Sequence, residues 1–197
     1  MNEENVKIAK LKKSCHAGRI VSKVLCIFFA IGFVASVIGS IMTFSMGKEF
    51  DEMIQGSVDR GVIEQTDRVG SVSLFEINLG AVPENIQSDN PAIQAALEDH
   101  PASVMYGGYM LALGIAFAIV AVLSIMVGSV FKLIEKENTP FTKKVQKRVT
   151  IVMIITSVIL FFTTGTPFGL LCGLLTWVVR NVIDYGMTLQ TESDETL

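Results

Sequence analysis

Three long stretches of this chain contain no Asp, Glu, Lys or Arg, and they dominate its hydrophobic pattern. They contain 24, 32 and 31 residues and are bounded by Lys23 and Lys48, by Asp99 and Lys132, and by Arg148 and Arg180. A helix crosses the roughly 30 Å hydrocarbon layer of a membrane in about 20 residues. The first stretch therefore predicts a transmembrane helix over residues 24–44, and the second predicts another over residues 106–133.

The third uncharged stretch is interrupted near its middle by the sequence TTGTPFG. Because Gly and Pro in this arrangement mark a turn, the pattern favours two short helices, over residues 149–163 and 170–186, joined by a tight turn at 164–169. Basic residues at the far ends of both helices can extend their charged groups to the membrane surface, which lengthens the two spans. The alternative is one long helix, which would give three spans and an external C-terminus.

The segment between the first two spans, residues 45–105, combines polar residues with short hydrophobic patterns. Apolar positions within residues 50–61 recur at helical spacing, which predicts that the first helix continues outward as an amphipathic stretch. Residues 69–79 predict a strand or an extended segment. Asn90 followed by proline is typical of a helix start, so a short helix is expected over residues 91–100. We expect this segment to form a small, mostly helical cap.

Composition and charge distribution indicate how these helices are oriented. Half of the 197 residues are hydrophobic, only 18% are charged and the mean hydropathy is +0.52, which is too apolar for an ordinary soluble domain. Lys and Arg number six in residues 1–23 and six in residues 132–148, but only three in residues 45–105. Because basic loops stay on the cytoplasmic side, the N-terminal segment 1–23 and the loop 134–148 are expected inside, and residues 45–105 outside.

With four spans, the acidic C-terminal tail, residues 187–197, also lies in the cytoplasm. Two arrangements are open for it: weak docking on the basic loop, or a free tail in solvent. A cleaved signal peptide is the competing interpretation of residues 1–47. The apolar run from Val24 to Phe44 is longer than the roughly 7–15 residues of a signal sequence, so an uncleaved span is expected.

Candidate chemistry is sparse. The outer segment has a net charge of −8, which argues against nucleic-acid binding. The common metalloprotease, phosphate-loop and serine-hydrolase motifs do not occur. The interior of the first two spans offers hydroxyl groups but no carboxylate or basic side chain, whereas transport of ions ordinarily uses such groups. The sequence therefore predicts no catalytic residue, no cofactor-binding residue and no metal ligand, and a protein that is not an enzyme.

Small residues four positions apart mark one face of each of the first two spans. They are Gly32, Ser36 and Ser40 in the first span and Gly108, Ala112 and Ala116 in the second. Such stripes let helices approach closely in lipid. They predict packing of these two spans on each other or, alternatively, a homo-oligomer.

The basic loop contains the clearest local signal. Thr139 followed by Pro140 predicts that Thr139 is the N-cap of a helix whose first turn contains the proline. Residues 141–148 would then form a basic helical lead into the third span, with Phe141 anchored at the membrane boundary.

Two motifs resemble those of a known family. The sequence ENTPFT at residues 137–142 and the ending YGMTLQTESDETL at residues 185–197 are similar to a family of small bacterial membrane proteins catalogued as domain of unknown function 2975. The resemblance covers residues 106–197 and implies a four-helix integral membrane protein of unestablished role, often encoded beside a small helix-turn-helix regulator. The candidate motif or partner-binding positions are Thr139, Pro140, Phe141, Gln190, Glu192, Asp194 and Leu197.

The sequence thus predicts an all-α integral membrane protein with four transmembrane helices and a small extracytoplasmic cap between the first and second. We expect it in the bacterial cytoplasmic membrane with both termini inside. The expected function is that of a non-catalytic interaction or regulatory partner, which contacts the lipid bilayer and a protein partner or a second copy of itself. The alternative is a subunit of an oligomeric transporter or channel. No small-molecule ligand is predicted.

Overall fold

The computed structural model describes residues 3–62, 73–74, 77–78, 88–163 and 165–195. In chain order its elements are α1 (Glu3–Met46), α2 (Lys48–Asp59), β1 (Ser73–Leu74), β2 (Ile77–Asn78), α3 (Pro91–Asp99), α4 (Pro101–Glu137), α5 (Lys143–Thr163) and α6 (Thr166–Glu195). The two short strands pair antiparallel, with Leu74 opposite Ile77. They lie within the segment predicted to be extended, and the other predictions for residues 63–87 fall outside the described residues.

Four of the helices, α1, α4, α5 and α6, are long and apolar enough to cross a membrane. This confirms the predicted number of spanning helices. The third uncharged stretch is a hairpin of two helices and not one long helix, because α5 ends at Thr163 and α6 begins at Thr166. Gly165 between them has a φ of +105°, a conformation that favours glycine. The connection is shorter than predicted, since residues 166–169 already belong to α6.

The distribution of side chains is the reverse of that in a soluble protein. Large apolar side chains cover the outside of the long helices: Phe162 is 80% exposed and Trp177 is 64% exposed. Among the described residues, many of the buried positions carry small hydroxyl side chains, namely Ser22, Ser36, Ser40, Thr43, Ser103, Ser124 and Thr176. In lipid, where apolar burial between helices gives little driving force, close packing of small residues takes its place. The surface thus agrees with four membrane-embedded helices.

The described chain divides into two compact units. One unit comprises Met1–Phe28 with Val120–Leu197, and the other comprises Phe29–Ile119. In the second unit, the predicted stripe of α1 packs on α4: a Cβ on Gly32 would lie 2.9 Å from the Phe117 ring, and Ser40 Oγ donates to the carbonyl of Gly107 at 2.8 Å. The α1 stripe therefore packs against α4 of the same chain.

The stripe predicted for α4 is not the face that packs on α1. A Cβ on Gly108 would meet nothing within 4 Å. Three glycines of α4 contact α1: Gly107 lies against Phe44, Gly114 against Ser36 and Gly128 against Ser22. Neighbouring helix positions point about 100° apart, so a sequence stripe that is wrong by one residue selects a different face.

The segment between α1 and α4 begins with a break in the helix. Gly47, with φ +52° and ψ −120°, separates α1 from the amphipathic α2, which replaces the continuous helix that was predicted. Further along, the Asn90 side chain accepts from the backbone N–H of Ala92 and caps α3. The predicted short helix is thus present, with Pro91 in its first turn. The side of the membrane on which this segment lies stays a prediction.

Asp51 on α2 caps α4 from a distance. Its carboxylate accepts from the backbone N–H groups of Ser103, at 2.7 Å, and Ala102, at 3.1 Å. These two groups lie in the first turn of α4 and have no partner within that helix. The Ser103 hydroxyl, which is fully buried, donates to the carbonyl of Thr43 at 2.7 Å. These bonds join the end of α1, α2 and the start of α4.

Candidate functional site

The motif ENTPFT forms the connection between α4 and α5. Several of its residues have a local structural role there. Asn138 ends α4 with a φ of +59°, a left-handed conformation that asparagine tolerates better than most residues. Thr139 Oγ1 then accepts from the backbone N–H of Phe141 at 3.2 Å and closes a small turn around Pro140. The connection therefore reverses the chain within five residues.

The N-cap of α5 is Thr142, and the prediction that Thr139 caps this helix is wrong. Thr142 Oγ1 accepts from the backbone N–H of Val145 at 3.2 Å, and its carbonyl accepts from Gln146 N at 2.9 Å. The helix accordingly begins at Lys143, three residues later than an N-cap at Thr139 would place it. Both threonines accept a backbone N–H, but Thr139 closes the turn before the helix and Thr142 caps the helix itself.

Phe141 connects this loop to α6. Its ring lies so close to Gly186 that a methyl group at that position would overlap the ring atoms Cδ1 and Cε1. The ring is 37% exposed, so it is covered on one side by α6 and open on the other. The sequence predicted that Phe141 anchors the helix at the membrane boundary. In the structure its ring packs on Gly186.

Gln190 lies one helical turn beyond Gly186 and faces the same loop. Thr139 Oγ1 lies 3.4 Å from Gln190 Oε1, in a long hydrogen bond with the hydroxyl as donor. Three of the motif positions, Thr139, Phe141 and Gln190, therefore lie on one surface, and Pro140 lies between the first two. The two motifs that are separate in sequence thus lie side by side in the structure.

The remaining motif positions extend along α6. The predicted acidic tail is the continuation of this helix as far as Glu195, and Glu192 is exposed on its surface. Leu197 and the side chain of Asp194 fall outside the described residues. In the basic loop, Lys144 Nζ lies 3.4 Å from Glu137 Oε1, a contact that joins the end of α4 to the start of α5. Docking of the tail on this loop stays a prediction.

The antiparallel packing of α5 and α6 determines which part of α6 lies beside the α4–α5 connection. Gln146 Nε2 donates to the carbonyl of Arg180 at 3.3 Å, and Ser157 Oγ donates to the carbonyl of Gly169 at 2.7 Å. A Cβ on Gly169 would lie 2.7 Å from the Cα of Phe161, so the two backbones nearly touch near the turn. At the opposite end of the hairpin, farthest from that turn, Phe141 contacts Gly186.

Many hydroxyl groups within the long helices donate to a carbonyl of their own helix, whereas those of Ser40, Ser103 and Ser157 donate to a neighbouring helix. In the described part of the chain, nine of them donate to the carbonyl four residues earlier, namely those of Ser22, Thr43, Ser45, Ser124, Thr156, Thr163, Thr176, Thr188 and Thr191. This is the usual way in which serine and threonine satisfy their hydrogen bonds inside a helix. Among the described residues, no three His, Cys, Asp or Glu side chains are grouped as metal ligands would be.

Comparison with known proteins found no relative of this chain. No family model matches the chain, and no curated protein or solved structure matches it.

Proposed function

We propose that this protein is a non-catalytic membrane protein that recruits a protein partner through the surface formed by Thr139, Phe141 and Gln190. The observation that carries the proposal is the contact between the α4–α5 connection and the last part of α6. Two polar motifs outside the uncharged stretches lie together there, on a rigid helix end and a short connection.

The length of α6 supports an exposed role for its end. The helix has 30 residues, whereas about 20 are enough to cross the hydrocarbon layer. Its last ten residues, 186–195, therefore extend about 15 Å beyond a span that starts at Thr166. They include Leu189, which is 47% exposed among polar neighbours. An exposed apolar side chain within a polar rim is a common feature of protein interaction surfaces.

The location that we propose is the bacterial cytoplasmic membrane, with both termini and the basic loop inside. The concentration of Lys and Arg in residues 1–23 and 132–148 supports this orientation. The resemblance of ENTPFT and of the chain ending to domain of unknown function 2975 supports a bacterial membrane protein. The alternative, a subunit of an oligomeric transporter or channel, is less favoured, because the three uncharged stretches offer no carboxylate or basic side chain to an ion.

A photo-crosslinking amino acid placed at Gln190, in the full-length protein within its native membrane, tests the proposal. We expect a covalent adduct with one discrete protein, identified by mass spectrometry. The matched control carries the same amino acid at Glu52, an exposed position on α2. A Phe141→Ala substitution should reduce the adduct at Gln190, because it loosens the helix end. Equal adducts at both positions, or none at Gln190, would contradict the proposed function.

A further inference from the structure

A cavity of about 550 Å³ opens between the end of α4 and the start of α5. Its lining residues are Ser129, Lys132, Leu133, Lys136, Lys144, Lys147, Arg148 and Ile151. Five of these eight side chains are cationic, and none is acidic. The volume lies within the range of about 300–1,000 Å³ that is typical of small-ligand sites. In the sequence, membrane topology alone accounts for these basic residues. The structure places five of them around one cavity.

The spacing along each helix explains why the charges converge. Lys132 and Lys136 are four residues apart on α4, and Lys144 and Lys147 are three apart on α5. Residues at these spacings share one face of a helix. The two basic faces line the same cavity from opposite helices. Such an arrangement concentrates positive potential and favours an anion between the helices.

Most of this charge is available to a ligand. Within the described part of the chain, Lys132, Lys136 and Lys147 form no ion pair. Arg148 Nε donates to Ser129 Oγ at 3.1 Å, which uses one of the five N–H groups of the guanidinium and fixes its orientation. The remaining donors of Arg148 suit the oxygen atoms of a phosphate.

The position of the cavity points to a lipid as the source of the phosphate. Ile151 lies one turn deeper into the apolar part of α5 than Arg148 and is partly exposed. With Leu133 and the aliphatic stems of the lysine side chains, it makes most of the accessible surface of the cavity apolar. A phospholipid has the matching profile, with a phosphate at the level of the basic residues and acyl chains alongside the apolar ones. Basic pockets between transmembrane helices at the cytoplasmic boundary are a known mode of anionic lipid recognition.

The acidic end of α6 is a poorer fit for the deeper part of this cavity. Gln146, beside Lys147, donates to the carbonyl of Arg180, which fixes the level of α6 at this point. Glu192 lies twelve residues farther along α6, or about 18 Å at 1.5 Å per residue. The part of the cavity around Lys147 therefore lies well away from Glu192 along α6.

We propose that this cavity binds the phosphate headgroup of an anionic membrane phospholipid between α4 and α5. The site is separate from the surface formed by Thr139, Phe141 and Gln190, and it holds whether or not that surface recruits a partner.

The test uses the purified full-length protein in a neutral detergent. Phosphatidylglycerol, cardiolipin, zwitterionic phosphatidylcholine and inorganic phosphate are titrated separately, and bound lipid is measured by native mass spectrometry with thermal stabilisation as a second readout. One variant removes a charge from each wall of the cavity, Lys132→Gln with Lys147→Gln. A second pair, Lys136→Gln with Lys144→Gln, provides an independent measurement should the first fold poorly. The matched control is Lys12→Gln with Lys13→Gln, which removes two exposed charges from α1.

We expect both anionic lipids to bind and to raise the unfolding temperature, while phosphatidylcholine and inorganic phosphate have little effect. Each Lys or Arg near an anionic membrane surface contributes about a factor of five in affinity, so either cavity pair should weaken binding roughly 25-fold. The control pair lies outside the cavity and should leave the affinity nearly unchanged. Equal weakening by the control pair would show diffuse attraction and overturn the proposal. Inorganic phosphate that stabilises as well as lipid would overturn the assignment to a lipid.

Discussion

The ring of Phe141 lies against the backbone of Gly186, so closely that no side chain larger than hydrogen fits at position 186 without displacing the ring. This contact joins a loop residue to a helix residue 45 positions away in the sequence. It holds the α4–α5 connection and the end of α6 in one arrangement. The contact therefore determines whether Thr139 and Gln190 form a single surface.

We expect Phe141→Ala to lower the free energy of unfolding by about 1–3 kcal/mol, less than for a fully buried phenylalanine because the ring is partly exposed. Gly186→Ala should also destabilise, since the added methyl group pushes the ring away. The double variant should cost less than the sum of the two, because both changes remove the same contact. Thermal unfolding in mild detergent measures all three. Strictly additive effects would show that the two residues are not coupled.

The helix cap assigned to Thr142 gives a second prediction. Thr142→Ala removes the acceptor for the backbone N–H of Val145 and should cost about 1 kcal/mol. Thr139→Ala removes only a turn hydrogen bond and the long contact to Gln190, and it should cost a few tenths of a kcal/mol. The two threonines are matched in size and lie three residues apart. A larger loss for Thr139→Ala in the same unfolding assay would reverse the assignment of the cap.

The hairpin of α5 and α6 depends on Gly169. A Cβ at this position would lie 2.7 Å from the backbone Cα of Phe161, which cannot rotate away, so Gly169→Ala should separate the two helices near the turn. The matched control is Gly173→Ala, one turn along the same helix, where the new Cβ would meet only Ser157 Oγ at 3.5 Å. We expect a loss of about 1–3 kcal/mol for the first variant and no loss for the second. Comparable stability of the two variants would contradict the close approach.

Asp51 supplies the next prediction, because its carboxylate accepts two backbone N–H groups at the start of α4. Removing a charged acceptor from a helix N-terminus typically costs about 1–2 kcal/mol. Asp51→Ala should therefore lower the unfolding temperature, and Asp51→Asn should recover part of the loss. Glu52→Ala, at the exposed neighbouring position, is the control and should change little. A similar loss for Glu52→Ala would indicate a general charge effect and not a cap.

The parts of the fold that the sequence predicts are those set by local physics. A bilayer imposes a minimum apolar length on each helix whatever its neighbours are, so the uncharged stretches predict the four long helices. Asn90 and Pro91 act within one turn, and the start of α3 follows from them. The Gly165 break likewise depends on a conformation of that residue alone.

Two errors are local, namely the cap at Thr142 and the break at Gly47, and the others arise where a residue acts on a distant one. Nothing in the sequence around Asp51 indicates a capping role, because its two hydrogen-bond partners are 51 and 52 residues away. Gly107 and Gly108 are equivalent in the sequence, and only the rotation of α4 about its axis decides which one faces α1. The basic cavity is missed for the same reason, because its two walls come from different helices. Helical spacing predicts that the lysines of each helix share one face. It does not predict that the two faces line the same cavity.

The ion pair between Lys48 and Asp99 predicts a dependence on pH. Lys48 Nζ lies 2.6 Å from Asp99 Oδ1, and both groups are exposed. The hydrogen bond from Lys48 holds the pKa of Asp99 below its ordinary value, and the bond to Asp99 raises the pKa of Lys48. A carboxyl group with a lowered pKa stabilises the fold above its ordinary pKa and loses that contribution as the pH falls through the lowered value. An ammonium group with a raised pKa contributes below its ordinary pKa and loses the contribution at higher pH.

The pair should therefore stabilise the fold across the neutral range and fail at both extremes. Because exposed pairs are screened by salt, the effect should be small and should shrink as salt is added. We expect Lys48→Gln to lower the unfolding temperature near pH 6, and to have almost no effect below the lowered pKa of Asp99, where that carboxyl group is protonated even in the wild type. Asp99→Asn should show the same loss near neutrality, and combining it with Lys48→Gln should add little. A Lys48→Gln effect that does not change with pH or salt would mean that Lys48 acts through packing and not through its charge.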